Sequence, residues 1–563
     1  MSKTTSRKSG TGKFQVEWVL GLTVLVMFAL LGWLMLNPAA LASSGWMKFV
    51  RDYNLMYLGP ETLLSVVILA CTLLVSFGQT KEDHEKNWLL ATLGCTFTLA
   101  VLGLHYFLLY ANPTVVQSHL VFAGLLNADL LSLVSRILMV AGTLLVLLFS
   151  RVFFTQKTEV PGEFYILLLS ALLGGMFLSM ANDLIMVFVA LETLSIASYI
   201  MVAYLRGNVF SAEAGLKYLL YGSMATAALL FGLSILYGLT GAVSFPLIAN
   251  ALATVQKVDP LVLAIMTVMI VGGVSFKLSA APFHMWAPDT YEGAPTPVVA
   301  FLSVVSKIAA FTFAIRFFYL LLGPMTGWVE LLSVLAVVSM LLGNVVALTQ
   351  KNIKRLLAYS TVAHVGYLLL GLVVLTQDGL ASLFYYLMTY LFMNLGAFAV
   401  VTHFENKTGS VTIANYAGLI RKRPWLTLVF SVMLLSLAGI PITAGFFGKF
   451  FLFQSVANAG SQHLWLVVIA LLASTISLYY YLNIIRLMVI AEPSETVEAL
   501  PGQSAAAPLP AFSMAVCLVA TLALGLFAGP VMDLSRQAVA QMAQPTVTAT
   551  KLMPKQISMA QQP

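Results

Sequence analysis

The chain has 563 residues, of which 60% are hydrophobic and only 9% charged, with a mean hydropathy of +0.93. That balance excludes a soluble multidomain protein and places the chain among polytopic membrane proteins. The formal charge of +7 comes from basic residues scattered over short loops, so it speaks to membrane topology and against nucleic acid as a partner.

Apolar runs of about 20 residues, the length that crosses a bilayer, predict an all-α fold with fifteen transmembrane segments. They lie near 16–36, 58–78, 88–110, 127–149, 163–181, 184–205, 214–240, 261–281, 297–319, 327–349, 355–375, 380–403, 427–455, 462–490 and 510–534. The first run follows Lys3, Arg7, Lys8 and Lys13, as a signal peptide would. Its apolar core is longer than the roughly 7–15 residues of a signal, so it reads as a membrane helix with a cytoplasmic N-terminus. Alternating the crossings from there puts sixteen Lys and Arg residues in inside loops and six in outside ones, and it leaves the C-terminus external. The tail after about 536, rich in Gln, Ala, Thr and Met, is expected to be poorly ordered.

Cys71, Cys95 and Cys517 all lie inside apolar runs, with no CxxC or Cys/His cluster. That pattern argues against a disulfide framework, a bound metal or a redox centre in this chain.

Charges inside the apolar runs are the informative residues. An ionisable group at the bilayer centre costs about 2.5–3.5 kcal/mol on insertion scales, so it needs a partner or an aqueous path. Glu192, Lys217, Lys277, Lys307 and Lys449 are such groups, with His284 and His364 beside them. Arg136, Arg316 and Arg486 read as snorkelling or paired structural residues. Lys277 lies one turn before Pro282, which breaks its helix, and broken helices in membranes line enclosed or hydrated cavities. Burial disfavours a charged lysine while a nearby carboxylate favours it. Glu192, flanked by apolar residues, is the expected pairing partner of such a lysine. Lys307 lies three turns into its run with no interfacial escape and reads as a relay. Lys217 sits one turn into its own run, where a snorkelling side chain and an entry-side relay are both open. The two histidines can pass protons near neutral pH or simply satisfy the core.

A second broken segment, LAGIPITAGFFGKFFLF, carries Pro441 and Lys449. Two such segments suggest an internal repeat. Leu216, Tyr218, Leu220 and Phe231 recur as Leu383, Tyr385, Leu387 and Phe398 at an offset of 167. The predicted organisation is an N-terminal part (1–57), three helices (58–149), five-helix halves at 163–319 and 327–490, and a C-terminal part (491–563). Halves with an odd number of crossings must be inverted, as in transport folds.

The stretches FKLSAAPFHMWAPDTYEGAPTPVVAFLSVVSK, ALETLSIASYIMVAYLR, NIKRLLAYSTVAHVGYLLLG and GIPITAGFFGKFFLF resemble the subunit N (subunit 2) family of proton-pumping NADH:quinone oxidoreductase, respiratory complex I. The resemblance covers roughly 58–490 and implies a fourteen-helix antiporter-like core, to which 16–36 adds one helix. It implies that Glu192 is the glutamate partner of Lys277, that Lys307 is the connecting lysine, Lys449 the exit-side lysine and Lys217 the lysine of the KY motif. The GKF context of Lys449 resembles subunit N, whereas its sibling subunit M places a glutamate there. FMN, iron–sulfur clusters and the quinone site are then expected in partner subunits, with no cofactor in this chain. The expected partners are the other complex I membrane subunits, the siblings included, in an energy-transducing membrane such as the bacterial plasma membrane. A subunit of a multisubunit cation/proton antiporter and a membrane subunit of a hydrogenase-like complex are the competing readings.

Overall fold

In the computed structural model, residues 53–78, 81–111, 119–158, 162–254, 258–322, 327–501 and 508–542 are described; the predicted segment at 16–36 lies outside them. Among these residues, thirteen helices are long and apolar enough to span a membrane, so the chain is an all-α polytopic membrane protein.

The chain begins with α1 (Gly59–Phe77) and α2 (Lys81–Ala111), followed by a hairpin of β1 (His119–Val121) and β2 (Leu126–Ala128), then α3 (Leu130–Lys157). Next come α4 (Gly162–Met180), α5 (Leu184–Val202), α6 (Val209–Thr240), the short α7 (Phe245–Thr254), α8 (Pro260–Leu278), α9 (Trp286–Gly293) and α10 (Thr296–Phe317). After these run α11 (Trp328–Ala347), α12 (Ile353–Val374), α13 (Gln377–Thr408), α14 (Pro424–Ala438), α15 (Ala444–Asn458), α16 (Leu464–Val489), α17 (Pro508–Leu526) and α18 (Ala528–Met542). Every residue of α10 is buried, and α12 and α13 are nearly so; the rest of the bundle packs around these three. In contrast, α6 turns Leu216, Leu220, Met224 and Phe231 outward, a surface for lipid or a neighbouring subunit.

Helix ends explain how the chain turns. Asp183 caps α5 by accepting from Ile185 N, and its backbone bridges Ser244 beyond α6. Asn352 caps α12 by accepting from Lys354 and Arg355 N, and its backbone bridges Thr412 beyond α13. Both α6 and α13 have 32 residues and end at a glycine in the left-handed region, Gly241 (φ 64°) and Gly409 (φ 72°). A side chain is disfavoured in that conformation, which ends a helix cleanly. These two caps stand 168 residues apart, one more than the offset of the sequence echo.

Two of the buried arginines are paired, as expected. Arg316, at the end of α10, makes a bidentate bridge to Asp129 at 2.8 and 3.0 Å, with both side chains wholly buried. Asp129 also caps α3 in a reciprocal box with Ser132. Arg136 meets Glu61 at 3.0 Å. Arg486 instead reaches only Asn483, on the exposed side of its helix.

The C-terminal region departs from expectation. The run at 510–534 is not one helix: α17 ends at Leu526, and α18 is a separate amphipathic helix. Met532, Ser535, Ala538, Val539 and Met542 form its buried face, so order extends past 536 because the 3.6-residue spacing gives these side chains a core to enter. Gln541 accepts from Leu130 N at 2.7 Å and so completes the start of α3. Residues beyond 542 lie outside the described ones.

Arg316→Met would leave the Asp129 carboxylate buried and unpaired, a change that costs about 3–5 kcal/mol in comparable sites. The expected outcome is a large loss of subunit accumulation, measured by immunoblot of membranes. Adding Asp129→Asn should recover part of it, and normal accumulation of the single variant would contradict the importance of the pair.

Candidate functional site

The site is built where two membrane helices break. The first break lies between α8 and α9. Ser279, at φ 64°, closes α8, and its N–H donates to Phe276 O while Ala280 N donates to Ser275 O. The carbonyls and amides freed by the break are then satisfied one by one. Phe276 O also accepts from Trp286 Nε1 at 3.1 Å. Ala281 N donates to Ser339 Oγ of α11 at 2.8 Å. Lys277 O accepts from Lys307 Nζ of α10 at 3.0 Å, and that same amine donates to Ser279 Oγ. The Lys307 ammonium also lies 5.3 Å from the Trp286 ring centre, a cation–π distance. Lys307 therefore seats its charge on the negative end of a half-helix.

The second break, between α14 and α15, repeats this arrangement with other parts. Gly439 at φ 88° takes the place of Ser279. Gly445 has to be glycine, because a Cβ there would fall 1.8 Å from Ser436 O. Lys449 Nζ donates to Leu437 O and Ala438 O, both at 3.1 Å, and to Ser474 Oγ of α16 at 3.0 Å. Its ammonium sits 5.1 Å from the Tyr367 ring centre. Predicted as one segment at 427–455, this region is two half-helices joined at the proline.

Lys277 is held differently. Its side chain is 4% exposed, and its Nζ donates to one neutral group, Ser195 Oγ of α5, at 2.9 Å. Glu192 lies one turn before Ser195 on the same helix. Glu192, the expected carboxylate partner, acts on Lys277 from beyond bridging distance and accepts from Thr226 of α6 at 2.9 Å. Ser195 thus stands between the carboxylate and the amine. Glu192 is only half-buried, on the side of the molecule where α5 and α6 present their outward faces.

His364 sits on α12 between two tyrosines, with Nδ1 2.6 Å from Tyr386 OH and Nε2 3.3 Å from Tyr481 OH. The Tyr481 hydroxyl also bonds Ser360. Gly448, next to Lys449, allows the Tyr386 ring to come close, since a Cβ there would fall 2.3 Å from Tyr386 Cδ2. His364 and Lys449 therefore share one aromatic pocket. No direct hydrogen bond joins it to the Lys277–Lys307 pair. The intervening space holds Ser303, which accepts from Asn394 Nδ2 at 2.9 Å, and Thr361, which accepts from Tyr390 OH at 3.0 Å.

The remaining predicted residues lie apart. Lys217 is 39% exposed and pairs with Asp289 at 2.9 Å and Glu213 at 2.8 Å. His284 is buried beside Tyr359 and makes no hydrogen bond to any of the lysines. Ser195, Ser279, Ser474, Tyr386 and Tyr481 complete the site and were not singled out from sequence. Small hydroxyls are common in membrane helices, and only their distance to an amine distinguishes these. Among the described residues, no three His, Cys, Asp or Glu side chains come together as a metal site would require.

The family described as NADH:quinone oxidoreductase/Mrp antiporter, transmembrane, matches residues 181–477, which contain all of these groups except Tyr481. The chain belongs to that family. A relative named NAD(P)H-quinone oxidoreductase subunit 2, from Synechococcus sp. (strain JA-3-3Ab), is 49% identical over 86% of this chain and 90% of its own. A chain in the structure of respiratory complex I from Thermus thermophilus with bound aureothin is 33% identical and superimposes with a TM-score of 0.69, over 85% of this chain and 99% of that one. A chain of the Mrp complex from Dietzia sp. DQ12-45-1b aligns at a TM-score of 0.73 over 87% and 98%, but at 21% identity it is similar in fold alone.

Tyr386→Phe removes the 2.6 Å partner of His364 without changing the packing of the ring. The expected result is an assembled complex whose proton uptake is slowed about two- to tenfold, the equivalent of a lost hydrogen bond of roughly 0.5–1.5 kcal/mol. Dye quenching in membrane vesicles measures it. An unchanged rate would remove the Tyr386–His364 contact from the pathway.

Proposed function

We propose that this chain is a proton-translocating membrane-arm subunit of an NAD(P)H:quinone oxidoreductase, coupling electron transfer in partner subunits to proton movement along its own buried groups. The observation that carries this is the environment of Lys277. Its amine is enclosed, has a single neutral hydrogen-bond partner, and has a carboxylate one helical turn beyond that partner. Lys307 rests on one backbone carbonyl and Lys449 on two, contacts that favour the charged form of each amine. For Lys277 the balance between charged and neutral depends on how closely Glu192 approaches. A lysine in that position takes up a proton when the carboxylate nears and gives it up when the carboxylate withdraws.

The sequence of groups we assign is Glu192, Lys277, Lys307, His364 and Lys449, running along the membrane plane. Lys217 is the entry-side group, at the surface with Asp289. His284 is the weakest member, because among the described residues it makes no hydrogen bond to any of these groups. Flavin, iron–sulfur clusters and quinone belong to partner subunits, the sibling antiporter-like chains among the neighbours.

The two halves, 163–319 and 327–490, are read as inverted repeats. The equal lengths of α6 and α13, their glycine caps 168 residues apart and the matching backbone bridges at Asp183 and Asn352 support this. The Lys- and Arg-rich loops face the cytoplasm of a bacterial plasma membrane, with the N-terminus inside and the C-terminus outside. The cation/proton antiporter reading is less specific, since the Mrp likeness is one of fold while relatives at 42–49% identity carry the oxidoreductase name.

Lys277→Ala should assemble, as judged by native electrophoresis, and its proton uptake should fall sharply in dye-quench assays. Glu192→Ala should reduce pumping less completely, because water or a carboxylate on a neighbouring subunit can substitute. An assembled Lys277→Ala complex that pumps normally would overturn the assignment. Orientation is tested separately: an alkaline phosphatase fused after Met542 should be active in cells, and an inactive but stable fusion would reverse the topology.

A further inference from the structure

A cavity of about 640 Å³ opens where α3, α9 and α13 end and α6 and α12 begin. Its wall carries Lys157, Lys217, Asp289, Arg355, Glu405 and Lys354. The first five are ion-paired: Lys217 and Arg355 with Asp289, and Lys157 with Glu405. Lys354 is not. By sequence position it falls among the loop lysines that set topology, yet it lies on α12 with its side chain 4% exposed. Its Nζ donates to a single acceptor, Ala294 O, at 2.9 Å, the carbonyl just beyond the end of α9. Glu405 and Glu292 act on it only from beyond bridging distance.

Lys354 is therefore a third buried amine seated on the end of a half-helix, after Lys307 and Lys449. Inward from it, Thr361 and His364 follow on the same stripe of α12, seven and ten residues on. Thr361 accepts from Tyr390 OH, and the Tyr291 hydroxyl of α9 lies beside it. The neighbouring Thr290 Oγ1 is wholly buried and lacks a hydrogen-bond partner among the described residues, and the equally buried Tyr291 OH has none among them beyond its approach to Thr361. Orphan hydroxyls of this kind are where enclosed water resides.

We infer that Lys354 is a proton-carrying residue on a second loading route, which leads from this cavity along α12 to His364 without passing through Lys277. The inference rests on the proton-translocating reading above. A proton entering from the cavity, by way of Glu405, binds the neutral Lys354 amine. The ammonium then passes an N–H proton to water held at Tyr291, Thr290 and Thr361, and that water protonates a ring nitrogen of His364. Each transfer breaks one bond to hydrogen and forms another, so Lys354 is left neutral for the next proton. Glu405 accepts hydrogen bonds from Lys157 and Thr296, which hold its carboxylate at the mouth of the route.

The test is Lys354→Arg in the intact complex. Arginine keeps the charge and can keep the bond to Ala294 O, so it rescues a purely structural role, but a guanidinium does not release its proton. The expected result is an assembled complex that retains quinone reduction but loses the share of proton uptake carried by this route, about half. Wild-type uptake by this variant would overturn the proposal. Should it fail to assemble, Tyr291→Phe decides, since it removes only a hydroxyl: impaired uptake supports the route and normal uptake refutes it. Lys277→Ala, measured alongside, separates the two levels. Loss of pumping there with normal pumping in both other variants rejects only the Lys354 route, whereas normal pumping in all three rejects the proton-translocating reading.

Discussion

The structure depends on one interaction, a buried lysine ammonium seated on the carbonyl end of an interrupted helix. An α-helix carries roughly half a negative charge at its C-terminus, concentrated on unpaired carbonyls. In lipid those carbonyls have no water to turn to, and each unsatisfied group costs several kcal/mol. A lone ammonium in the same place costs about 2.5–3.5 kcal/mol on insertion scales. Bringing the two together cancels most of both penalties, because a hydrogen bond to a charged group contributes about 1.5–3 kcal/mol. The lysines are thus part of the reason why the breaks can exist. Neither the break at α8 nor the one at α14 would be stable in a bilayer with an apolar residue at 307 or 449.

That mutual dependence also fixes what lies around each break. Ser279 adopts a left-handed conformation that costs a non-glycine residue about 1–2 kcal/mol, and its hydroxyl is one of the acceptors for Lys307. In the second break Gly439 takes the same conformation at no such cost, and the Ala438 carbonyl and Ser474 supply the extra acceptors. α10 is anchored twice, by Lys307 at the α8 break and by Arg316 at Asp129. A helix tied at both places and buried on every side is poorly suited to large displacement. Movement associated with proton transfer is better sought in side chains and water than in a shift of α10.

Much of this was legible in the sequence, for identifiable reasons. Charges in apolar runs are expensive, so Lys277, Lys307 and Lys449 stood out, and proline marked the breaks beside two of them. The arginines at 136 and 316 read as structural, with snorkelling and pairing both open, and the structure pairs them because guanidinium groups at membrane depth need carboxylates. What could not be read were contacts between distant helices. Ser195 is an ordinary serine until the Lys277 side chain reaches from α8 to its hydroxyl on α5, and it stands one helical turn from Glu192, so the carboxylate acts on the amine without touching it. Lys354 was misplaced because its neighbours Lys351 and Arg355 make a loop-like cluster. Only the packing of α9 over α12 buries it. At the C-terminus, a composition poor in large apolar residues concealed an amphipathic helix whose small side chains suffice for a close fit.

The two breaks differ in a way that bears on direction. Matched at their left-handed residues, Ser279 and Gly439, they place Lys277 opposite Leu437 and Leu278 opposite Ala438. The first break therefore has an amine above the carbonyls as well as one below them, while the second has only the amine below. Lys307 and Lys449 both seat an amine on the carbonyl end of the broken helix, the first on one carbonyl and the second on two, although one comes from the following helix and the other from the half-helix itself. Lys277 has no equivalent. On the proton-translocating reading, this makes the first half the place where charge state changes and the second half the place where a proton is held and delivered. Two carbonyls and a serine favour the charged amine of Lys449, while burial opposes it. Release from Lys449 is then promoted either by movement of its acceptors or by arrival of a second positive charge on His364, in the same aromatic pocket. Arrival of charge at His364 is the more economical trigger, because it needs no rearrangement of the half-helix, and it makes the tyrosine-held histidine the gate for release from Lys449.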